Sequence, residues 1–189
     1  CVEIEHSTIN RTLRVFERRG SALGLRRSDM ENEPLTPLFA LAVSMAYEIR
    51  VDEKTTPQEK GQLIALFGKL VEMETINDGE LQSLISKAFN YTNNNSVDDF
   101  LLNATPGLSG TQRLAIIINL YDTMQTDGHI KKGEQDIIQK FEKAFNIDKN
   151  IASGIRKFLM LKNDTSIFLD QSHPLNNTAF NFEELFVKK

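Results

Sequence analysis

The stretch RLAIIINLYDTMQTDGHIKKGEQDIIQKF, residues 113–141, shows how this chain is built. Its apolar residues recur at intervals of three and four on both sides of a polar centre, which is the period of amphipathic helices. The polar centre, TDGHIKKGE at 126–134, has the glycine and the charged residues of a turn. The stretch therefore predicts two helices, of about 110–126 and 131–145, joined by an acidic corner. The stripe predicted for the first helix is Leu114, Ile117, Ile118, Tyr121 and Met124.

Residue patterns that favour the start of a helix recur along the rest of the chain. Ser or Thr at an N-cap, Pro at the first helical position and Glu or Gln three residues after the cap all favour a helix start. The starts of this kind are Thr36 before Pro37, Thr56 before Pro57 and Glu59, and Ser109 before Gln112. Further helices are predicted at about 37–51, 57–74, 79–91, 97–102 and 148–162. No segment predicts a strand, so the fold class is all-α.

The chain also resembles itself when it is shifted by 75 residues. Apolar positions then stay in phase across two predicted helices without a gap; for example, Ala42 meets Ile117. The acidic residues that fall in the same alignment are Asp52 with Asp127 and Glu59 with Glu134. The sequence therefore predicts a helical bundle of two repeats related by a pseudo-two-fold axis.

Length and composition indicate the domain organisation and argue against several classes of protein. The 189 residues divide into an Arg-rich N-terminal arm and linker (1–34), a helical domain (35–165) and a C-terminal tail (166–189). A net charge of −4 argues against a nucleic-acid-binding protein. The only cysteine is Cys1, which excludes a disulfide framework and a thiolate zinc site. No apolar run approaches the roughly 18 residues of a membrane-spanning helix.

The N-terminal arm leaves two interpretations open. Its arginines can line a solvated helix face, or they can contact anionic lipid as a juxtamembrane stretch. Cys1 at the first position favours a fragment or processed product, and the acylated first residue of a bacterial lipoprotein stays open as an alternative. A lipoprotein anchored at Cys1 is therefore the alternative to a cytoplasmic location.

The acidic corner at 126–134 does not fit a calcium-binding EF-hand loop. Placing Gly128 at the sixth loop position puts Thr123 first and Gln125 third, where such loops use oxygen ligands that are typically carboxylates or amides. Only Asp127 and Glu134 fall at ligand positions. In addition, the predicted helix runs through the place where the loop would have to be open. We therefore interpret the corner as a helix–turn–helix junction.

Helix electrostatics explains the glutamates better than the aspartates. Asp52 and Asp127 each follow a predicted helix, where the negative end of the helix dipole disfavours a carboxylate by roughly 0.3–1 kcal/mol. A bound cation or a nearby lysine would compensate. Glu59 is explained by its capping box, whereas Glu134 has no good capping partner in the sequence.

The two segments LFALAVSMAYEIRVDEKTTPQEKGQLIALF (38–67) and RLAIIINLYDTMQTDGHIKKGEQDIIQKF (113–141) resemble the repeats of the TerB-like tellurite-resistance family. That family is marked by a helix that ends in Asp-Gly, with a glutamate seven residues after the aspartate, present twice. The second copy matches through Asp127, Gly128, Ile130 and Glu134, whereas the first has Glu53 in place of the glycine. The resemblance covers roughly residues 35–165.

The resemblance implies an all-helical, non-enzymatic module in a bacterial stress or tellurite-resistance pathway, cytoplasmic and often near the inner membrane. It also implies an acidic surface that binds a divalent metal. The same domain occurs in membrane-anchored J-protein co-chaperones, but a J-domain needs His-Pro-Asp, and here Leu175 follows His173 and Pro174. No co-chaperone activity is therefore expected.

Carboxylate ligands favour calcium or magnesium. The metal-ligating candidates are Asp52, Glu59, Asp127 and Glu134. Should the two corners meet in the folded protein, four carboxylates could not all stay ionised without a cation. His129 would be a fifth ligand, although a lone histidine in a turn is more often exposed.

Two other functions are weighed against metal binding. One is a metal-independent interaction or membrane-associated scaffold, in which the carboxylates cap helices or meet a basic protein partner that the sequence does not identify. The other is an enzyme, which the sequence disfavours because it contains no nucleophile with a base, no phosphate-binding glycine loop and no HExxH motif.

Overall fold

The computed structural model describes residues 35–51, 66–124 and 132–176. The Arg-rich arm, the start of the second predicted helix and the end of the tail lie outside these ranges. Every regular element within them is helical, which confirms the all-α prediction. In chain order the helices are α1 (Pro37–Arg50), α2 (helical residues 66–72), α3 (Asp78–Asn94), α4 (Val97–Ala104), α5 (Gly110–Met124), α6 (Lys132–Phe145), α7 (Lys149–Asn163) and α8 (Ser166–Leu169).

Contacts divide the chain into two compact units, Cys1–Gly107 and Leu108–Lys189. The division falls in the short 3-10 turn Thr105–Gly107. The predicted limits of the helical domain, at residues 35 and 165, stay a prediction, as does the pseudo-two-fold relation between the repeats.

Helix α1 is the centre of the first unit. It begins as predicted. Thr36 caps the helix by accepting a hydrogen bond from the Phe39 N–H at 3.2 Å, and Pro37 is the first helical residue. Side chains all around the helix are buried from residue 39 to residue 49, except at position 41. A helix that is covered on every side, rather than along one stripe, is a core element.

Aromatic side chains join α1 to the helices that follow it. The Tyr91 ring meets Phe39 edge-on at 5.9 Å and Phe100 at 6.0 Å, and Phe100 also lies 5.6 Å from the ring of Tyr47. Each such pair contributes roughly 0.5–1.5 kcal/mol beyond its area burial. This cluster fixes α3 and α4 against α1.

Helix α5 organises the second unit by packing against both α6 and α7. Ser109 and Gln112 form the predicted capping box, with reciprocal hydrogen bonds of 2.8 and 3.2 Å. The predicted stripe is only partly correct: Ile118 is exposed, and Ile116 is buried in its place. Two packing partners widen the buried face and turn its centre away from position 118. The residues buried on α5 are Ile116, Ile117, Leu120, Tyr121, Thr123 and Met124.

Helices α2 and α6 end in the same way. Each is followed by a residue with a φ of 54°, Glu74 and Asn146, in the left-handed region. The next N–H then reaches back to a carbonyl in the last turn, from Thr75 to Leu70 at 2.9 Å and from Ile147 to Glu142 at 2.9 Å. This is the Schellman pattern. The two left-handed residues lie 72 positions apart, so the offset of 75 is not kept at these helix ends.

Candidate metal centre and neighbouring polar sites

Glu134 is the candidate metal ligand that the structure describes. It lies in the first turn of α6, and only 3% of its surface is exposed. The other three candidates, Asp52, Glu59 and Asp127, lie outside the described residues, as does His129. The convergence of the four carboxylates therefore stays a prediction.

Two opposing electrostatic effects act on the Glu134 carboxylate at this position. The positive end of the α6 dipole favours a carboxylate in the first turn by roughly 0.3–1 kcal/mol. Burial disfavours the charged form, and a buried carboxylate needs a charged or hydrogen-bonding partner. Glu134 does have such an interaction partner. Glu134 is thus a buried, positioned carboxylate rather than a solvated helix cap.

A second buried carboxylate, Glu48, was not among the predicted ligands. It lies in the last turn of α1, four residues before Asp52, with 2% of its surface exposed, and it also has an interaction partner. In the alignment shifted by 75 residues, Glu48 meets Thr123, which is also buried. The Thr123 hydroxyl donates to the Asn119 carbonyl at 3.0 Å. A polar residue is therefore buried shortly before each acidic corner. The alignment shifted by 75 residues pairs these two polar positions, which was a sequence signal for them.

The described ranges alone do not form a metal centre. Within 35–51, 66–124 and 132–176, no three His, Cys, Asp or Glu side chains are placed together to hold an ion. A metal centre that includes Glu134 therefore stays a prediction.

Tyr121 forms a polar contact between α5 and α6. Its hydroxyl donates a hydrogen bond to Glu142 Oε1, and the Arg156 guanidinium of α7 lies 5.5 Å from the ring centroid. Burial, reinforced by the Glu142 carboxylate, raises the pKa of Tyr121 above its ordinary value of 10.0. The hydroxyl therefore stays protonated at neutral pH and acts as a donor. Sequence analysis placed Tyr121 only on an apolar stripe, although a buried tyrosine usually requires a polar partner.

Tyr47 has the corresponding contact in the first unit. Its hydroxyl donates to the Asn95 carbonyl at 2.9 Å, beyond the end of α3. Burial is also the main cause that raises the pKa of Tyr47. Neither tyrosine is set up as a base at neutral pH, so both contacts are best explained as structural.

Several large apolar side chains of the second unit face solvent. On α7, Ile151 and Phe158 lie seven residues apart on one flank, and Phe158 is 58% exposed. Beyond that helix, Phe168 is 88% exposed and Leu169 is similarly exposed. In the part of the chain that the structure describes, no helix is both long and apolar enough to cross a membrane.

No protein-family model, curated protein or solved structure matches this chain. The TerB-like resemblance therefore rests on the residues of the two corners.

Proposed function

We propose that this chain is a non-enzymatic, TerB-like helical module that binds a divalent cation at its acidic corners. The observation that carries the proposal is the burial of Glu134 in the first turn of α6. A glutamate that served only to favour the helix start would remain solvated at little cost. A glutamate held in the interior is positioned for a specific partner.

The spacing at the second corner supports a cation as a further partner of this carboxylate, beside the interaction that Glu134 already has. Asp127 lies five residues before the start of α6, and Glu134 lies in its first turn. The chain between them is long enough to turn back, so that both carboxylates can face one ion. Each would supply oxygen ligands, which suit calcium or magnesium. The first corner offers the equivalent pair, Asp52 and Glu59.

The proposed role is a cation-responsive step in a bacterial stress or tellurite-resistance pathway. A cation neutralises the carboxylates that bind it, and it would thereby remove their mutual repulsion at the corner. It is bound in the folded state, so it also raises the stability of that state. The module would pass this change to a protein partner without catalysing a reaction.

Isothermal calorimetry tests this function. Calcium, magnesium and zinc are titrated into the wild type, into the double variant Asp127→Asn/Glu134→Gln, and into Asp136→Asn. Asp136 is an exposed carboxylate on the same helix as Glu134, so this variant controls for the loss of one negative charge. We expect the heat of calcium or magnesium binding to be clearly smaller in the double variant than in the wild type and the control, because only the first corner, with Asp52 and Glu59, is left in the double variant. Identical curves for all three proteins would refute the proposal.

A metal-independent scaffold is the second candidate, because Ile151, Phe158, Phe168 and Leu169 are exposed on the second unit. Apolar side chains that cluster on a surface commonly mark interaction sites. The Arg-rich arm would then add contacts to a protein or to anionic lipid. Co-sedimentation with vesicles of anionic and of neutral lipid tests the membrane version, using the full chain and a variant without residues 1–34. Equal sedimentation of the two proteins would contradict a role for the arm.

A further inference from the structure

His173 closes the turn that follows α7 through both nitrogens of its ring. Nδ1 accepts a hydrogen bond from the Leu175 backbone N–H at 3.2 Å. Nε2 lies 3.2 Å from Asp164 Oδ2. Asp164 caps the C-terminal end of α7, so one imidazole ties the 3-10 turn Pro174–Asn176 to that helix end.

Three further hydrogen bonds of this loop join groups that do not titrate. The Asn176 side-chain amide donates to the Ile167 carbonyl at 2.7 Å and to the Asp170 carbonyl at 3.0 Å. The backbone N–H of His173 donates to the same Asp170 carbonyl at 3.1 Å. The exposed Phe168 lies within the loop that these bonds close.

Only one form of the imidazole satisfies both contacts of the ring. A neutral ring with its hydrogen on Nε2 donates to Asp164 and accepts from Leu175. Protonation adds a hydrogen at Nδ1, which then faces the Leu175 N–H, and two donors cannot form a hydrogen bond. Acid therefore removes the contact with Leu175 and keeps the contact with Asp164.

The carboxylates of Asp164 and Asp170 both interact electrostatically with the ring. Hydrogen bonds from Ser166, together with His173, hold the pKa of Asp164 below its ordinary value. Hydrogen bonds from Ser172 do the same for the pKa of Asp170. Both groups therefore stay ionised between pH 8 and pH 5, and they would attract an imidazolium. The charged ring stays beside Asp164, while the Leu175 N–H loses its acceptor.

We propose that His173 is a pH-sensitive latch on the loop 164–176. The neutral ring closes the turn at Leu175 against the end of α7. The charged ring releases Leu175 and thereby loosens the loop that presents Phe168.

NMR of the full-length, 15N-labelled chain between pH 8 and pH 5 tests the latch. At pH 8 the imidazole nitrogen shifts should show the hydrogen on Nε2. Between pH 8 and pH 5, the protection factor of the Leu175 amide, corrected for intrinsic exchange, should fall roughly fivefold, which corresponds to one lost hydrogen bond. A hydrogen on Nδ1 at pH 8, or Leu175 protection that is independent of pH, would overturn the proposal.

His173→Asn is the matched control, because an asparagine oxygen can accept from the N–H two residues on and does not titrate. In this variant, Leu175 protection should be equal at pH 8 and pH 5. A variant that still loses protection on acidification would contradict the role of the ring. If the variant fails to form the turn at either pH, the titration of the wild type alone decides.

Discussion

The Tyr121 hydroxyl donates a hydrogen bond to the Glu142 carboxylate, and this contact joins α5 to α6 in the second unit. Tyr121 is fully buried and Glu142 is half-buried. If the Tyr121 hydroxyl were removed, water could not readily take its place as the donor to Glu142. The contact depends on one phenolic proton, which makes it sensitive both to substitution and to alkaline pH.

Tyr121→Phe should lower the free energy of unfolding by about 1–3 kcal/mol, because the Glu142 carboxylate loses a donor in a partly buried place. Tyr47→Phe is the matched variant, since it removes a hydroxyl that donates to an uncharged carbonyl. Its cost should be smaller, about 1 kcal/mol. Urea unfolding measures both values. An equal or larger loss for Tyr47→Phe would contradict the importance of the charged acceptor.

Alkaline pH should destabilise the protein through the same two tyrosines. Their pKa values are raised in the folded state, mainly by burial, whereas an unfolded tyrosine titrates near 10.0. Above about pH 10 the unfolded chain therefore releases protons that the folded chain retains, and stability falls as the pH rises. Below that range the contribution is fully present.

Urea unfolding between pH 8.5 and pH 11 measures the alkaline effect. We expect a smaller decline in the free energy of unfolding for Tyr121→Phe and Tyr47→Phe than for the wild type, since each variant lacks one of the titrating groups. A decline of the same size in all three proteins would assign the effect to other groups.

Glycine should stabilise both helix ends that use a left-handed residue. Glu74 and Asn146 each have a φ of 54°, which glycine adopts without the steric cost of a Cβ. Asparagine tolerates this conformation better than glutamate. Glu74→Gly should therefore raise the free energy of unfolding by about 1 kcal/mol, and Asn146→Gly by less. Thermal unfolding compares the two, and a larger gain at Asn146 would contradict the steric explanation.

The sequence predicted those features of the fold that depend on neighbouring residues. The caps at Thr36 and Ser109 were predicted correctly because cap and partner are three residues apart. The reciprocal cap of Asn77 with Glu80 has the same spacing but is not among the predicted helix starts.

Features that depend on distant residues could not be predicted in this way. The exposure of Ile118 follows from the packing of α5 against two helices, which periodicity along α5 alone does not contain. The partner of Tyr121 lies 21 residues away on another helix. The candidate ligand Glu134 was chosen from spacing, whereas its burial depends on the packing of α6 in the second unit.

The central claim is that a divalent cation binds at the corner formed by Asp127 and Glu134. A two-dimensional 15N NMR titration of the full-length chain with calcium and with magnesium tests it most directly, because it locates the bound ion. We predict that the amide resonances of residues 127–134 move with saturation in the wild type and in Asp136→Asn, and that Glu134→Gln abolishes the movement. Resonances that do not respond, or that respond equally in Glu134→Gln, would contradict the claim.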